Sequence, residues 1–158
     1  MKIAGNRLAT IYLRYFGISQ IPLILFVRPS VFQINEKSAV IKIPFRRRVK
    51  NHLGSMYFGA MSIGADLAAG ILAFRKIKEQ NQHISLIFKN FNAEFLKRAE
   101  GHTYFSCNNG EIIEDLIKKA IESEERVEEE IQVTATVPTE FGDEPVAKFK
   151  LIMSLKKR

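Results

Sequence analysis

This sequence contains few of the residues that carry metal, redox or disulfide chemistry. Its 158 residues include one cysteine, Cys107, so no disulfide can form within the chain and no cysteine-based zinc cluster is available. The three histidines, His52, His83 and His102, lack the close spacing of a metal motif such as H-E-x-x-H. The sequence therefore predicts a protein with no structural metal and no cofactor, in a reducing, cytoplasmic compartment.

The chain also lacks internal repeats, low-complexity tracts and Pro/Gly/Ser-rich linkers, and its length is that of one ordinary domain. We therefore expect a single domain over residues 1–158. Two apolar runs near the N-terminus, residues 11–16 and 21–27, are too short to span a bilayer, and no small-residue cleavage site follows them. They predict a short docking helix at about residues 5–16, then a core segment, and no integral membrane segment.

Charge is distributed unevenly along the chain, although the net value is only +7. Residues 1–98 hold 16 Lys and Arg against 4 Asp and Glu, whereas residues 111–130 hold 9 of the 17 acids. A basic half can meet nucleic acid, an anionic membrane or a phosphorylated ligand, or it can simply be solvated. Only residues 46–50 form a basic cluster, and it has neither a recognition-helix motif nor interleaved aromatics. We therefore expect no nucleic-acid partner.

Alternation of apolar and polar residues predicts a largely antiparallel sheet. The clearest pair is near the C-terminus, where the apolar positions of 131–137 and of 149–155 recur every second residue on either side of a Gly-, Asp- and Pro-containing turn. Further strands are predicted at 31–35, 38–46, 84–91, 93–98 and 102–107.

Helical periodicity predicts three helices. The first, at about residues 5–16, carries Leu8, Ile11, Tyr12 and Tyr15 on one face, and the second covers residues 56–74. A third helix opens after Asn108, a predicted N-cap with Glu111 at the N3 position, and has one continuous apolar stripe. Helices combined with an antiparallel sheet place the protein in the α+β class.

Residues 51–74 are the most informative segment, because Asp66 is their only charged residue. The helical part is apolar on all sides, which is typical of a helix buried in a core or a membrane, and its three glycines favour close packing over helix stability. Burial raises the pKa of a carboxylate towards the range useful for a general base near neutral pH. The alternative is a hydrogen-bonded Asp66 that only fixes a neighbouring loop.

The start of this helix adds a second chemical group, since its first-turn amides have no intrahelical partner and suit a developing oxyanion. Gly59 and Asp66 share one face but lie seven residues apart, which is about 10 Å along the axis. That distance is too long for both groups to act easily on one carbonyl. Two such helices packed antiparallel across a two-fold axis would bring each Asp66 near the other chain's helix start, so the geometry favours a dimer with sites at its interface.

The segment also contains a motif made of Asn51, Gly54, Tyr57, Phe58, Gly59, Ala60, Asp66, Ala68 and Gly70. These residues resemble the N-x-x-G-x-x-H-G-G…D-x-A motif of phenylacetyl-CoA thioesterase-like hotdog proteins. They are most similar to a branch with a domain of unknown function (DUF4442-like). The order of the predicted elements agrees with that family over nearly the whole chain.

The resemblance implies a hotdog fold, in which an antiparallel sheet wraps around a long central helix, here with an extra N-terminal helix. It also implies acyl-CoA thioesterase activity in a homodimer or in a dimer of dimers (homotetramer). Asp66 would be the general base or nucleophile, and a backbone amide of Phe58 or Gly59 would be the oxyanion donor. Asn51 would orient water or the carboxylate. A free acid and CoA would be the products.

Residues implied to contact substrate are Tyr57, Ser62, Lys97 and Arg98, the last two through CoA phosphates. The sequence departs from the family where Tyr57 replaces the usual His and Phe58 replaces the first Gly. The added ring lies beside the expected thioester path. A non-catalytic acyl-CoA- or lipid-binding hotdog protein is therefore the alternative to the enzyme. The acyl group is expected to be apolar.

Overall fold

The computed structural model describes the backbone of residues 2–158 and side chains from Asn6 onward. Two helices, α1 (Lys2–Ser19) and α2 (Pro22–Val27), precede strands β1 (Ser30–Ile34) and β2 (Ala39–Ile43). A short 3-10 turn (Arg47–Val49) leads to the long helix α3 (Phe58–Glu79). The remaining elements are β3 (Ile84–Phe95), β4 (Thr103–Cys107), α4 (Gly110–Glu122), β5 (Val127–Thr136), α5 (Pro138–Phe141) and β6 (Pro145–Lys157).

The six strands form one sheet in the order β1-β2-β4-β5-β6-β3, and every neighbouring pair is antiparallel. Every second residue of a strand points to the same side of a sheet, so the alternating apolar residues of these strands together form an apolar inner face. The inner register brings Ile41 opposite Phe105, Phe105 opposite Ala135, and Ala135 opposite Ala147, all of them fully buried. The predicted α+β architecture, an antiparallel sheet around a long central helix with an extra N-terminal helix, is confirmed.

Helix α3 packs against β2, β4 and β5 through small residues. Ala65, Ala68 and Ala69 are fully buried. Gly64 lies directly under the Phe105 ring, so closely that a Cβ atom there would come within 2.4 Å of it. Helix α3 is long and apolar enough to cross a membrane by length and composition alone, but half of its most apolar window is buried within the fold. A core helix wrapped by a sheet has the same composition.

Several predicted element boundaries differ from the structure; helix α3, for example, was predicted to end at residue 74 and continues to Glu79. The strands predicted at 84–91 and 93–98 are one continuous strand, β3, which ends at Phe95. Its register shift between Phe88 and Asn90 lies within the first predicted strand, and the two predictions are separated by Asn92, a residue type depleted in strands. The core segment predicted at 21–27 contains the short helix α2, which begins at Pro22, a residue favoured in the first turn of a helix.

The apolar stripe predicted on one face of α1, Leu8, Ile11, Tyr12 and Tyr15, is exposed, whereas Leu13 of the same helix is buried. One side-chain prediction was wrong. Asn108 does not cap α4, because the helix begins after Asn109. The Oδ1 atom of Asn109 accepts a hydrogen bond from the backbone amide of Gln132 at 2.9 Å, so this side chain ties the helix start to β5.

Candidate active site

Asp66 lies in the middle of α3 and is half-buried. Among the residues that the structure describes, none forms a hydrogen bond or an ion pair with its carboxylate. Burial raises the pKa of Asp66 from its ordinary value of 3.8 to about 6. Such a group is ionised at neutral pH yet basic enough to accept a proton from water, which are the requirements for a general base.

Asp66 faces a cavity of about 1430 Å³ between α3, the two N-terminal helices and strands β1 and β3. The walls are predominantly apolar and aromatic, with Tyr12, Phe16, Phe32 and Phe74 among the lining side chains. Among the described side chains, Arg75 and Lys78 are the other charged groups lining the cavity, nine and twelve residues beyond Asp66, or about two and a half and three helical turns. An apolar cavity with one carboxylate in its wall is suited to an apolar ligand that carries a reactive polar group.

The start of α3 presents the second predicted group. Tyr57 is the N-cap residue, and its side chain makes no capping hydrogen bond, so the first amides of the helix are not covered by a cap. The Tyr57 and Phe58 rings pack on each other with centroids 4.7 Å apart, and Phe58 is 57% exposed. The Tyr57 ring also lies over Gly59, where a Cβ atom would come within 2.6 Å of it.

Asn51 organises the loop that leads to this helix. Its Oδ1 atom accepts hydrogen bonds from the backbone amides of Leu53 at 2.9 Å and of Ser55 at 3.2 Å, and its amide nitrogen donates to the Ser55 hydroxyl at 3.2 Å. These contacts are those of an Asx turn, in which a side chain substitutes for backbone hydrogen bonds. Within one chain, the Asn51 side chain is therefore directed to its own loop.

The remaining predicted site residues lie near the helix start. Ser62 donates its hydroxyl hydrogen to the Phe58 carbonyl at 2.9 Å, one turn back along α3. Arg98 donates to the Leu53 carbonyl and forms an ion pair with Glu100 at 3.1 Å. Lys97 forms an ion pair with Glu144, and its ammonium group lies 4.6 Å from the Phe141 ring centroid.

The predicted residues therefore form two groups within one chain. Asp66 lines the large cavity, whereas the loop and helix-start residues do not. The ring of Phe58 instead points towards Phe95 of β3, with centroids 6.4 Å apart. Among residues 2–158, no cluster of three or more His, Cys, Asp or Glu side chains is arranged to hold a metal ion.

The sequence profile of one family, described as a domain of unknown function (DUF4442), matches residues 12–153. The chain belongs to the DUF4442 family. No curated protein matches its sequence.

Solved structures similar to this DUF4442 protein share its whole fold at low sequence identity. A protein of unknown function from Chlorobaculum tepidum has a TM-score of 0.82 at 13% identity, and 97% of each chain is covered. A protein from Pseudomonas aeruginosa described as a probable thioesterase has a TM-score of 0.78 at 23% identity, covering 94% of this chain and 96% of that one. A thioesterase from Haemophilus influenzae has a TM-score of 0.65 at 12% identity, covering 92% and 88%. These similarities confirm the hotdog fold.

Sequence reasoning identified Asp66 but missed the cavity walls of this DUF4442 protein. The walls are built from α1, α2, β1 and β3, which are far apart along the chain. The available signal was the apolar stripe predicted on one face of α1. Tyr12 of that stripe lines the cavity.

Proposed function

We propose that this protein is a thioesterase that hydrolyses an acyl-CoA or a related acyl thioester to a free acid and a thiol. The observation that carries the proposal is Asp66, a half-buried carboxylate with no partner among the described residues and a pKa raised to about 6, in the wall of a large apolar cavity. If Asp66 had only a structural role, we would expect its carboxylate to form a hydrogen bond or an ion pair, because burying an unpaired carboxylate is energetically unfavourable. The cavity would take the apolar acyl chain.

In the proposed reaction, the Asp66 carboxylate accepts a proton from a water molecule as the water oxygen attacks the thioester carbonyl carbon. The carbonyl oxygen becomes an oxyanion that accepts a hydrogen bond from the backbone amide of Phe58 or Gly59. The tetrahedral intermediate collapses with cleavage of the carbon–sulfur bond, and the thiolate leaves and takes up a proton. Direct attack by the carboxylate on the carbonyl, followed by hydrolysis of the anhydride, is the other route open to the same residue.

The site is proposed to form between two copies of the chain, in a homodimer or a dimer of dimers. Asp66 is about 10 Å along the helix axis from the amide of Gly59, so one chain does not easily supply both groups. Strand β3 supports an assembly through its edge, since it pairs with β6 on one side and is the last strand of the sheet on the other. Natural proteins rarely leave an edge of 12 residues without cover.

The other predicted residues are proposed to act around the thioester. Asn51 holds the loop from which a water molecule or the partner's carboxylate would be oriented. Lys97 and Arg98 would bind CoA phosphates by exchanging their carboxylate partners. The exchange costs little for Arg98, because an exposed ion pair such as Arg98–Glu100 contributes about 1 kcal/mol or less. Tyr57 and Ser62 would line the path of the substrate.

The alternative proposal is a binding protein that retains acyl-CoA without turning it over. The observation that favours it is the exposed Phe58 ring, which packs on Tyr57 at the helix start and occupies space near the amides that would stabilise the oxyanion.

A cytoplasmic location and a single domain over the whole chain remain further proposals. They rest on the lone, buried Cys107 and on the one core cluster to which both ends of the described chain contribute.

The deciding experiment measures thiol release from a panel of aromatic, medium-chain and long-chain acyl-CoAs by the wild type and by Asp66→Asn. Loss of a general base is expected to lower kcat about a hundredfold or more. Asp115→Asn is the matched control, because Asp115 is an exposed carboxylate on α4 and should leave the rate unchanged. A wild type that binds acyl-CoA saturably but releases no thiol would replace the enzyme with the binding protein.

A further inference from the structure

Helices α1 and α2 form a hairpin whose outer surface is apolar. Ile11, Tyr15 and Ile18 of α1 and Leu23 and Phe26 of α2 are between 55% and 67% exposed. We call these five side chains the α1–α2 face. Large apolar side chains grouped in this way on a surface mark sites of interaction, whereas isolated ones need no explanation.

Basic residues border this face. The Nε atom of Arg14 in α1 donates a hydrogen bond to the Pro29 carbonyl at 3.3 Å. This bond holds the segment that follows α2 against α1. Arg48 donates to the Phe26 carbonyl at 3.2 Å, and its guanidinium lies 5.6 Å from the centre of the Phe26 ring. The basic cluster of residues 46–50 is thereby fixed beside the end of α2.

The sequence that forms α1, α2 and β1 holds no acidic residue. The first 35 residues contain four Lys and Arg and no Asp or Glu. The next residue, Glu36, is engaged by Arg75 of α3. Apolar side chains that project from a surface carrying only positive charge are complementary to the interface of an anionic bilayer, where the apolar groups enter the acyl region and the cations meet lipid phosphates.

We propose that the α1–α2 face docks this protein on an anionic lipid surface. The exposed Tyr12 and Tyr15 of α1 fit such a surface, because an amphipathic ring is stable at the level of the headgroups. The proposal goes beyond the thioesterase function and does not depend on it. Leu8, Tyr12, Tyr15 and Ile21 line the cavity that Asp66 faces and are also exposed, so docking would bring the mouth of that cavity to the lipid.

A lipid surface fits this face better than an acidic protein does. Binding of an acidic protein needs hydrogen-bond donors and acceptors across the contact, whereas the α1–α2 face offers one hydroxyl, that of Tyr15, among five side chains. A second copy of the chain would bring the same positive charge to the contact and repel it.

The test is flotation of the full-length protein with phosphatidylcholine vesicles prepared with and without phosphatidylglycerol. We expect binding to the anionic vesicles, little binding to the neutral ones, and a loss of binding as salt increases. Leu23→Ser/Phe26→Ser should abolish flotation, whereas Ile112→Ser, at an exposed apolar residue on α4, should not change it.

A second pair of variants tests the charge. Arg46→Gln/Arg47→Gln should weaken binding about 25-fold at low salt, because each basic side chain near an anionic surface contributes roughly a fivefold factor. Lys148→Gln/Lys150→Gln removes the same charge from strand β6 and should have almost no effect. Circular dichroism spectra and melting temperatures establish that each variant is folded.

Three outcomes would overturn the proposal. The first is absence of flotation, including the case in which the protein instead binds an acidic acyl carrier protein through the same arginines. The second is equal binding to neutral and anionic vesicles. The third is that Leu23→Ser/Phe26→Ser floats as the wild type does but has a smaller particle mass than the wild type by light scattering. That result would make the α1–α2 face a contact between copies of the chain.

Discussion

Replacing Asp66 by Asn should make the protein more stable at neutral pH while removing its proposed activity. Burial raises the pKa of this carboxyl from 3.8 to about 6, so the folded state holds the proton more tightly than the unfolded state does. Stability is therefore expected to fall as the pH rises from about 4 to about 6 and to be constant above that range. The asparagine does not titrate, so this cost is absent from the variant.

The magnitude follows from the two pKa values. The difference between 3.8 and about 6 corresponds to about 3 kcal/mol, and contact of the carboxylate with solvent in the open cavity reduces this to about 1–3 kcal/mol. For a domain of this size, the variant should melt roughly 3–9 °C above the wild type at neutral pH. The cost of holding an unpaired carboxylate in the core is what one expects of a residue retained for chemistry rather than for folding.

The assay is urea unfolding of both proteins at about pH 4.5 and about pH 7.5, at one fixed protein concentration because an oligomer's stability depends on it. The advantage of Asp66→Asn should grow by about 1–2 kcal/mol between the two pH values. Asp115→Asn, at an exposed site, should show no such growth. A variant that is less stable than the wild type at pH 7.5 would refute the reasoning, because it would mean that Asp66 holds a stabilising hydrogen bond.

The remaining predictions concern pH, packing and access. The logarithm of kcat/KM for thioester hydrolysis should rise with pH and level off above about 6, because the ionised form of Asp66 is the base. A value of kcat/KM that does not change as the pH passes through about 6 would exclude Asp66 as the general base. Gly64→Ala should lower the free energy of unfolding in urea by about 1–3 kcal/mol, because its Cβ would meet the Phe105 ring. Gly70→Ala on the same helix should raise it by up to about 1 kcal/mol, because a Cβ there would have no atom within 4 Å. Phe58→Ala should raise kcat/KM for bulky acyl thioesters relative to small ones if the ring obstructs the helix start; an unchanged ratio would show that it does not.

Much of the fold was predictable because its signals are local. Apolar residues recur at every second position of 131–137 and 149–155, and these segments lie almost entirely in the paired strands β5 and β6. The apolar character of residues 56–74 predicted a helix enclosed by the sheet, and Asp66 was identifiable because it is the single charge in residues 51–74. The spacing of apolar residues and the local composition depend only on residues that are close together in the chain, so both can be read from the sequence without the tertiary structure.

What only the tertiary structure decided depends on residues that are far apart along the chain. The periodicity of α1 predicted an apolar face, but the structure shows that Leu13 is buried and that Tyr12 of the predicted face lines the cavity that Asp66 faces. Periodicity finds an apolar face without saying what covers it. Likewise, the sequence predicted a buried carboxylate with a raised pKa, but the cavity that Asp66 faces and its lack of a partner among the described residues became evident only once α1, α2, β1 and β3 were placed around it.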